Sequence, residues 1–279
     1  MRAPQGRGLD HVKTARIEDV RAFWEAHPLC ASAIPHPPGS AEFFRDYDAL
    51  REVNESVAYS ESLHEYSEFR GLDVLDVGAG NGYILSRYAA AGARVRGIDI
   101  TERAVDLCRR RFELARLRGE FLVASAESIP FPDQSFDCVC SMGVLHHTPD
   151  IERALAELRR VLRPGGRLMV MVYHRNSVLY RLTFPVFSVV RRKSLEQLVG
   201  EVDGIGNPKG EVYSRRELKQ LLTGFEDVRI WTGLLQPWML PRVGSLIPRS
   251  ALEALAGRFG WFLYAKAFKP GAAARASAA

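Results

Sequence analysis

Between residues 73 and 174 the chain alternates between strand-like and helix-like patterns of apolar and polar positions. Short apolar runs are separated by stretches in which apolar residues recur every three or four positions, the spacing of one helix face. The runs of strand length are LDVLDVG (72–78), ARVRGIDI (93–100), EFLVAS (120–125), FDCVCSM (136–142) and RLMVMVYH (167–174). Strands that alternate with helices favour a parallel sheet with helices on both faces, which binds ligands beyond the carboxyl ends of its strands.

Capping residues indicate where several helices begin. Thr101 can cap a helix that runs to about Leu117, and Asp150 precedes a helix with a continuous apolar face. Further along the chain, Ser214 and Glu217 have the spacing of a capping box. Residues 17–70 look helical, and the apolar and aromatic stretch SVLYRLTFPVFSVV begins an insertion after the fifth strand.

Two late strands, in FEDVRIWTG and RFGWFLYAKAFKP, follow the insertion. We therefore predict an α/β fold with a Rossmann-like, doubly wound, mostly parallel sheet of seven strands. Helices cover both faces, a helical segment precedes the sheet, and the insertion follows its fifth strand.

The stretch VLDVGAGNGY (74–83) places three glycines where the first strand meets the first helix. Gly78, Gly80 and Gly82 allow a ligand to approach the main chain closely, and the N–H groups of a helix start can face it. The spacing is GxGxG, with Tyr83 where the third glycine of the dinucleotide fingerprint would fall. Asp76 would repel a pyrophosphate and suits a ligand that carries an ammonium group.

The second strand ends in Asp99, a carboxylate that can accept hydrogen bonds from a ribose diol. A ribose, a cationic group and no phosphate together match S-adenosyl-L-methionine. A nicotinamide oxidoreductase is disfavoured by Asp76 and Tyr83.

Four motifs in order resemble those of class I S-adenosylmethionine-dependent methyltransferases, in the branch of quinone C-methyltransferases and small-molecule tailoring enzymes. They are VLDVGAGNGY, VRGIDIT, ASAESIPFPDQSFDCVCSMGVLHHTPD and RVLRPGGRLMVMVYH. The resemblance covers roughly residues 72–174 and implies S-adenosyl-L-methionine as cofactor, with S-adenosyl-L-homocysteine as product. It also implies a helical lid before the core.

The resemblance assigns cofactor-binding roles residue by residue. It implies that Asp76, Gly78, Ala79, Gly80 and Gly82 hold the methionine portion. Asp99 would bind the ribose, Ile100 would lie against the adenine, and Ala126 and Glu127 would border it. Ser141, Met142 and Gly143 would face the cofactor and its methyl group. Ser125 stands where the family often has an acid, so adenine recognition here would rest on a hydroxyl or on backbone groups.

The catalytic candidates follow the fourth and fifth strands. In LHHTP, His146 and His147 are candidates for the group that receives a proton, because imidazole titrates near neutral pH. The position that matches His147 is often a histidine near the acceptor in related methyltransferases. Tyr173 and His174 end the fifth strand and are candidates for substrate contact. The alternative for each of the four is a structural role.

These assignments divide the chain into segments. We expect residues 1–16 and 271–279 to be disordered, 17–70 to form the helical lid, 71–174 the cofactor-binding core, 175–225 an insertion that caps the substrate, and 226–270 the strands that complete the sheet.

Composition limits the partners. The net charge of +5 is spread over several arginine clusters, such as Arg109–Arg111, that read most simply as solvated helix faces. The four cysteines show no metal-ligand spacing, so no metal is expected, and no run of about 18 apolar residues predicts a spanning helix. We expect a cytoplasmic protein, with peripheral membrane contact left open.

The expected function is transfer of a methyl group to an O, N or C atom of a small acceptor that is partly hydrophobic or aromatic. Two alternatives stay open at this point. PFPDQSFD and VLHHTPD also resemble motifs of tRNA-modifying methyltransferases, although nucleic acid is not the favoured partner. A protein that binds S-adenosylmethionine without turnover is the other.

Overall fold

The computed structural model describes residues 15–28, 33–192, 194, 198, 203–204 and 206–271. The two expected disordered ends, 1–16 and 271–279, lie outside these residues except for positions 15, 16 and 271. No helix of the described residues is both long enough and apolar enough to cross a membrane.

The strands are β1 (Asp73–Val77), β2 (Arg94–Asp99), β3 (Glu120–Val123), β4 (Phe136–Met142), β5 (Leu162–His174), β6 (Val212–Tyr213), β7 (Glu226–Gly233) and β8 (Phe262–Phe268). The α-helices are α1 (Ile17–Ala26), α2 (Ala41–Asn54), α3 (Val57–His64), α4 (Tyr83–Ala90), α5 (Glu102–Leu114), α6 (Ile151–Val161), α7 (Phe184–Arg191), α8 (Arg215–Leu221) and α9 (Arg249–Phe259).

Seven strands form one sheet in the order β3-β2-β1-β4-β5-β8-β7. Strands β1 to β5 are parallel to one another, and β8 is antiparallel to both of its neighbours, β5 and β7. The predicted mostly parallel sheet is confirmed. The short strand β6 is an addition to the seven, and it pairs with Tyr173 and His174 just past Met171, where the pairing of β5 with β4 ends.

Alternate residues of the central strands pack on opposite faces of the sheet, as the geometry of a strand requires. Val74, Cys138 and Cys140 pack with the buried residues of α4 and α5, so the two cysteines of β4 share one buried face. Leu75 and Val139 pack with α6 and α8 on the other face. The chain moves outward from β1 to β3 and then returns to place β4 beside β1. This switch in strand order lies between β1 and β4, where the carboxyl ends of a parallel sheet bind ligands.

Local sequence signals explain several element boundaries. Thr101 caps α5 and Asp150 caps α6 through side-chain hydrogen bonds to backbone N–H groups, and Ser214 and Glu217 form the predicted capping box. One boundary differs from the prediction. The RPGG stretch belongs to β5, but its pairing with β4 skips from Leu162 to Arg167, because Gly165 has a left-handed backbone with φ +77°.

The insertion contains a π-helical turn, Leu179–Thr183, that leads into α7. Its inward residues form a separate apolar cluster with the segment between β7 and α9. The members of this cluster include Tyr173, Leu179, Tyr180, Phe184, Leu235 and Met239. The cluster therefore extends from the carboxyl end of β5 into the insertion.

Candidate active site

The glycine loop after β1 has three residues in the left-handed region. The φ angles of Gly78, Gly80 and Gly82 are +81°, +56° and +78°. A Cβ on Gly78 would lie 2.2 Å from Cγ2 of Val144, and one on Gly82 would lie 3.4 Å from Cα of Cys108. A Cβ on Gly80 would meet no atom within 4 Å. Packing therefore requires glycine at position 78, a Cβ at position 82 would make a tight contact with Cys108, and Gly80 borders open space.

The N–H groups of this loop are less available than the sequence suggests. Those of Gly78 and Ala79 donate to the carbonyl of Ile98, and that of Gly80 donates to Oδ2 of Asp99 at 3.0 Å. These three N–H groups are therefore not free to bind a ligand; they bind β2 to the loop instead. The expected contact with N–H groups at the start of α4 stays a prediction.

Asp76 is buried in β1, and its Oδ1 has no hydrogen-bond partner among the described residues. Burial raises the pKa of this carboxyl to about 7. An unpartnered carboxylate oxygen inside a protein is costly and is usually explained by a ligand or a reactive role. Its position at the strand-order switch fits the ammonium group of an amino-acid ligand.

Asp99 lies at the end of β2 and connects two loops. Its Oδ1 accepts hydrogen bonds from the N–H and the hydroxyl of Thr101, and its Oδ2 accepts the Gly80 N–H. Burial raises the pKa of Asp99, and these hydrogen bonds act against that shift. These hydrogen bonds fix the orientation of the Asp99 carboxylate. The next residue along the chain, Ile100, is half-buried.

The residues assigned to the adenine are tied to the surrounding loops. Ala126 is buried, and Oε1 of Glu127 accepts the N–H of Asp150 at 2.9 Å. The hydroxyl of Ser125 accepts the N–H of Glu127. The Ser125 hydroxyl, which replaces the acid common in the family, is thus used within its own turn.

At the end of β4 the three assigned residues differ in exposure. Ser141 is fully buried, and its hydroxyl donates to the carbonyl of Val77 at 2.9 Å. Met142 and Gly143 are half-buried, and the N–H of Gly143 donates to Met171. Any contact of Ser141 with a cofactor would therefore be made by its main chain. Roles for all three stay predictions.

The two candidate histidines form a stack with Tyr173. The ring centroid of His146 lies 4.1 Å from that of His147 and 4.0 Å from that of Tyr173. His146 is fully buried, neither of its ring nitrogens has a partner among the described residues, and burial lowers its pKa well below the usual value. A neutral His146 is therefore the expected form at neutral pH.

His147 is 4% exposed and its two nitrogens face different groups. Nδ1 lies 2.6 Å from the carbonyl of Lys209, so it carries the proton, and Nε2 lies 3.5 Å from Oδ2 of Asp203. Burial lowers the pKa of His147, while Asp203 acts in the opposite direction; burial also raises the pKa of Asp203. Both shifts favour the neutral side chains, and Oδ2 of Asp203 has no hydrogen-bond partner among the described residues, so Nε2 faces this carboxyl without a hydrogen bond.

Sequence reasoning did not identify Asp203 or Trp24. Asp203 lies beyond the insertion helix and accepts a hydrogen bond of 2.5 Å from the Tyr173 hydroxyl, which joins Tyr173 to His147. The Trp24 ring, from α1, packs edge-on against His147 with centroids 5.1 Å apart. The other substrate candidate, His174, is buried and its Nδ1 is bonded to the Gly260 carbonyl.

A parallel sheet with an acid, a glycine loop and a second acid at its strand-order switch defines a Rossmann-like protein that binds an adenine nucleoside. Residues 75–170 match the sequence family described as a methyltransferase domain. Together with the relatives below, this match supports a class I S-adenosylmethionine-dependent methyltransferase domain over these residues.

Three curated relatives illustrate the similarity. The 27-O-demethylrifamycin SV methyltransferase of Amycolatopsis mediterranei is 43% identical over 98 residues, 34% of this chain and 36% of that protein. The ubiquinone biosynthesis O-methyltransferase of Paramagnetospirillum magneticum is 29% identical over 181 residues, 62% of this chain and 70% of that protein. The ubiquinone/menaquinone biosynthesis C-methyltransferase of Hahella chejuensis is 39% identical over 111 residues, 38% of this chain and 44% of that protein. Two of the three matches thus span less than half of the relative.

Solved structures agree in fold. A phosphoethanolamine N-methyltransferase of Haemonchus contortus in complex with S-adenosylhomocysteine has a TM-score of 0.56 at 17% identity, over 78% of this chain and 54% of that one. The [4+2]-cyclase SpnF has a TM-score of 0.54 at 16% identity, over 93% of this chain and 96% of that one. The name of the second structure refers to a cyclisation and not to methyl transfer. The fold therefore does not define the reaction by itself, and we infer the chemistry from the site.

The open space beside Gly80 gives a direct test of the cofactor site. Gly80→Ala should weaken S-adenosylmethionine binding by at least about tenfold, because the added methyl group enters the space that the ligand would use, while a left-handed alanine costs only about 1 kcal/mol of stability. Gly71→Ala is a matched control, since Gly71 has φ +73° and also has no atom within 4 Å of a built Cβ. Calorimetry and thermal unfolding of both variants check this. Equal affinity in the two variants would exclude Gly80 from the site.

Proposed function

We propose that this protein transfers the methyl group of S-adenosyl-L-methionine to an O, N or C atom of a small acceptor, a secondary-metabolite or quinone-like compound with a hydrophobic or aromatic part. The observation that carries the proposal is the buried carboxylate of Asp76 at the strand-order switch, whose Oδ1 has no hydrogen-bond partner among the described residues. The open main chain at Gly80 and the oriented carboxylate of Asp99 lie at the same edge of the sheet.

The cofactor, when bound, supplies a methyl group on a sulfonium sulfur that is already a good leaving group. Asp76 would bind the ammonium group, the glycine loop would follow the methionine portion, and Asp99 would bind the ribose hydroxyls. Ile100, Ala126 and Glu127 would surround the adenine. The main chain of Ser141–Gly143 would face the reacting centre.

The chain's own contribution to the reaction is positioning and the management of one proton. Alignment of the acceptor can provide much of the acceleration. His147 would take the acceptor proton at Nε2, because Nδ1 is committed to the Lys209 carbonyl. Asp203, which accepts a hydrogen bond from the Tyr173 hydroxyl, would lie beside Nε2 and orient the imidazole. His146 would form an apolar, neutral wall of the same cavity, and His174 stays a predicted substrate contact.

His147 is enclosed in the described conformation, so the proposal requires α1 to move. Trp24 packs on the imidazole and is itself partly exposed. Displacement of α1, as part of a lid formed by residues 17–70, would open His147 to the acceptor. The insertion and its apolar cluster would then wall the acceptor, consistent with a ligand that is partly hydrophobic or aromatic.

The ion pairs of the cluster Arg109–Arg111 do not favour RNA as the acceptor. Arg109 and Arg110 pair with Asp106 and Glu113 on the same helix, and the buried Arg111 pairs with Asp48. This cluster therefore does not form a free basic surface. Binding of S-adenosylmethionine without turnover is the second candidate function, favoured by the enclosure of His147 in the described conformation.

The test combines binding with turnover. The purified protein should bind S-adenosylmethionine and not NAD, and Asp99→Ala should weaken that affinity by more than about tenfold, since the ribose contact and the Gly80 contact are both lost. Asp106→Ala, an exposed acid on α5, is the control and should bind normally. Methyl transfer from labelled cofactor to a panel of quinols, phenols and amines should then identify the acceptor class. Tight NAD binding would refute the proposal, and cofactor binding without transfer to any acceptor would support the second candidate.

A further inference from the structure

Exposed apolar side chains are concentrated on the outer side of the insertion. We call the set the cap surface; its members are between 51% and 80% exposed, and they are Leu182, Val186, Val189, Val190, Val243 and Leu246. Val186, Val189 and Val190 are spaced three and four residues apart, so they share one face of α7. One groove of about 310 Å³ is lined by Leu182, Val186 and Val190 from the insertion and by Val243 from the segment between β7 and α9. The two chain segments that form the cap surface are therefore neighbours.

This surface is not part of the protein's own apolar core. The inward side of the same segment, including Leu179, Tyr180 and Phe184, forms the apolar cluster with the residues between β7 and α9. Monomeric soluble proteins rarely expose apolar patches of more than a few hundred Å², and larger ones mark protein or membrane contacts. We therefore expect another molecule to cover the cap surface.

The charge around the cap surface is positive. Residues 175–192 and 234–252 contain six arginines and no aspartate or glutamate. Two of these arginines pair with acids outside the two ranges, Arg175 with Glu217 and Arg249 with Glu253. Arg181, Arg192 and Arg242 are exposed beside the apolar residues, and Arg242 lines the groove itself. Two copies of this face would bring like charges together, whereas an anionic lipid surface would complement both the charge and the apolar side chains.

A tryptophan lies at the border of this region and connects it with the candidate active site. Trp238 is 56% exposed, and tryptophan is enriched where proteins meet the membrane–water interface. The ring centroids of Trp238 and Trp261 are 5.9 Å apart. Those of Trp261 and Tyr173 are 4.9 Å apart, and those of Tyr173 and His146 are 4.0 Å apart. A continuous series of packed rings thus joins the exposed border to the buried histidine stack.

We propose that the cap surface docks this protein on anionic phospholipid membranes, with α7 and the segment 237–247 against the lipid and the arginines at the headgroups. Docking would place the candidate active site next to a source of lipophilic compounds. This inference goes beyond the proposed function, and its test measures binding alone, so either can fail without the other.

The experiment is sedimentation of the full chain with vesicles of phosphatidylcholine, with and without phosphatidylglycerol. The protein should bind the anionic vesicles, and added salt should weaken the binding. Leu246→Glu should lower the partition coefficient by about tenfold, because it replaces a contact in the apolar layer by a negative charge. Arg242→Gln should lower it by about fivefold, the expected effect of one arginine near an anionic surface.

Matched controls separate docking from general effects on the protein. Leu114→Glu changes an exposed leucine on α5, and Arg118→Gln changes an exposed arginine in the following loop. Both should bind vesicles like the unaltered protein. Equal binding to neutral and anionic vesicles, or unchanged binding by Leu246→Glu, would overturn the proposal. A dimer seen by light scattering that Leu246→Glu dissociates would do the same, because the occupant would then be a second copy.

Discussion

Asp76→Asn should make the ligand-free protein more stable at pH 8 and at the same time remove its affinity for S-adenosylmethionine. The folded-state pKa of about 7 lies above the ordinary value of 3.8, a difference of about three units. A group with a raised folded pKa contributes stability that is present below about pH 4 and is lost as the pH rises through 7. Asparagine cannot ionise, so the variant should gain on the order of 1–4 kcal/mol in unfolding free energy at pH 8 and almost nothing at pH 4.

The loss of affinity has the same physical origin. The ionised Asp76 is costly in the empty site and favourable once an ammonium group compensates it, so removal of its charge should weaken binding by at least about 100-fold. For the unaltered protein, affinity should fall as the pH drops from 7 to 5, since Asp76 must release a proton to bind the cation. The Asn variant should lack this dependence. Calorimetry across this pH range and denaturant unfolding at pH 4 and 8 measure both parts.

Asp73→Asn is the matched control, because Asp73 lies in the same strand with the opposite electrostatics. Hydrogen bonds from Arg94 and Arg163 lower its pKa, so its contribution is present above its ordinary pKa and is lost on acidification. This variant should be destabilised at pH 8 and should keep its cofactor affinity. If Asp76→Asn also lost stability, or if it bound S-adenosylmethionine normally, Asp76 would not be the cation-binding group.

The local patterns of the sequence were sufficient for the central sheet. Strands β1 to β5 carry apolar residues on both faces, and the caps at Thr101, Asp150 and Ser214 are short-range signals that act through the next three residues. The switch in strand order then placed Asp76 and Asp99 at one edge. These parts depend on residues that are close in sequence or on general rules of parallel sheets.

The surroundings of the histidines depend on distant residues and were not predictable in the same way. Asp203 contacts Tyr173 and His147 from the part of the insertion that follows α7, and Trp24 reaches His147 from the first helix. Neither position has a periodicity or a spacing that indicates its partner. The use of the Gly80 N–H by Asp99 was missed for a similar reason: the pair is formed by the turn geometry of two separate loops.

His147→Gln should lower kcat by about 100-fold and leave the affinity for S-adenosylmethionine unchanged, since a positioned general base contributes roughly 10²–10⁴ and His147 lies outside the proposed cofactor contacts. Burial lowers the pKa of His147, so the basic imidazole persists below the usual pKa of histidine. Turnover of the unaltered protein should rise with pH to a plateau, with a midpoint below 6.5, and the variant should lose this transition. Single-turnover rates from pH 5 to 8, with the acceptor found by the panel, measure it.

His64→Gln controls for the loss of a buried histidine, because His64 is fully buried on α3 and stacks on Tyr66, outside the stack of His146, His147 and Tyr173. It should change stability and leave the pH profile of kcat in place. Asp203→Asn is a second variant that keeps the size of the side chain. Its kcat should fall about tenfold and the midpoint of the profile should move lower, because the carboxylate that raises the pKa of His147 is gone. An unchanged kcat in His147→Gln would assign the histidine stack to packing alone and would leave desolvation and alignment of the acceptor as the source of catalysis.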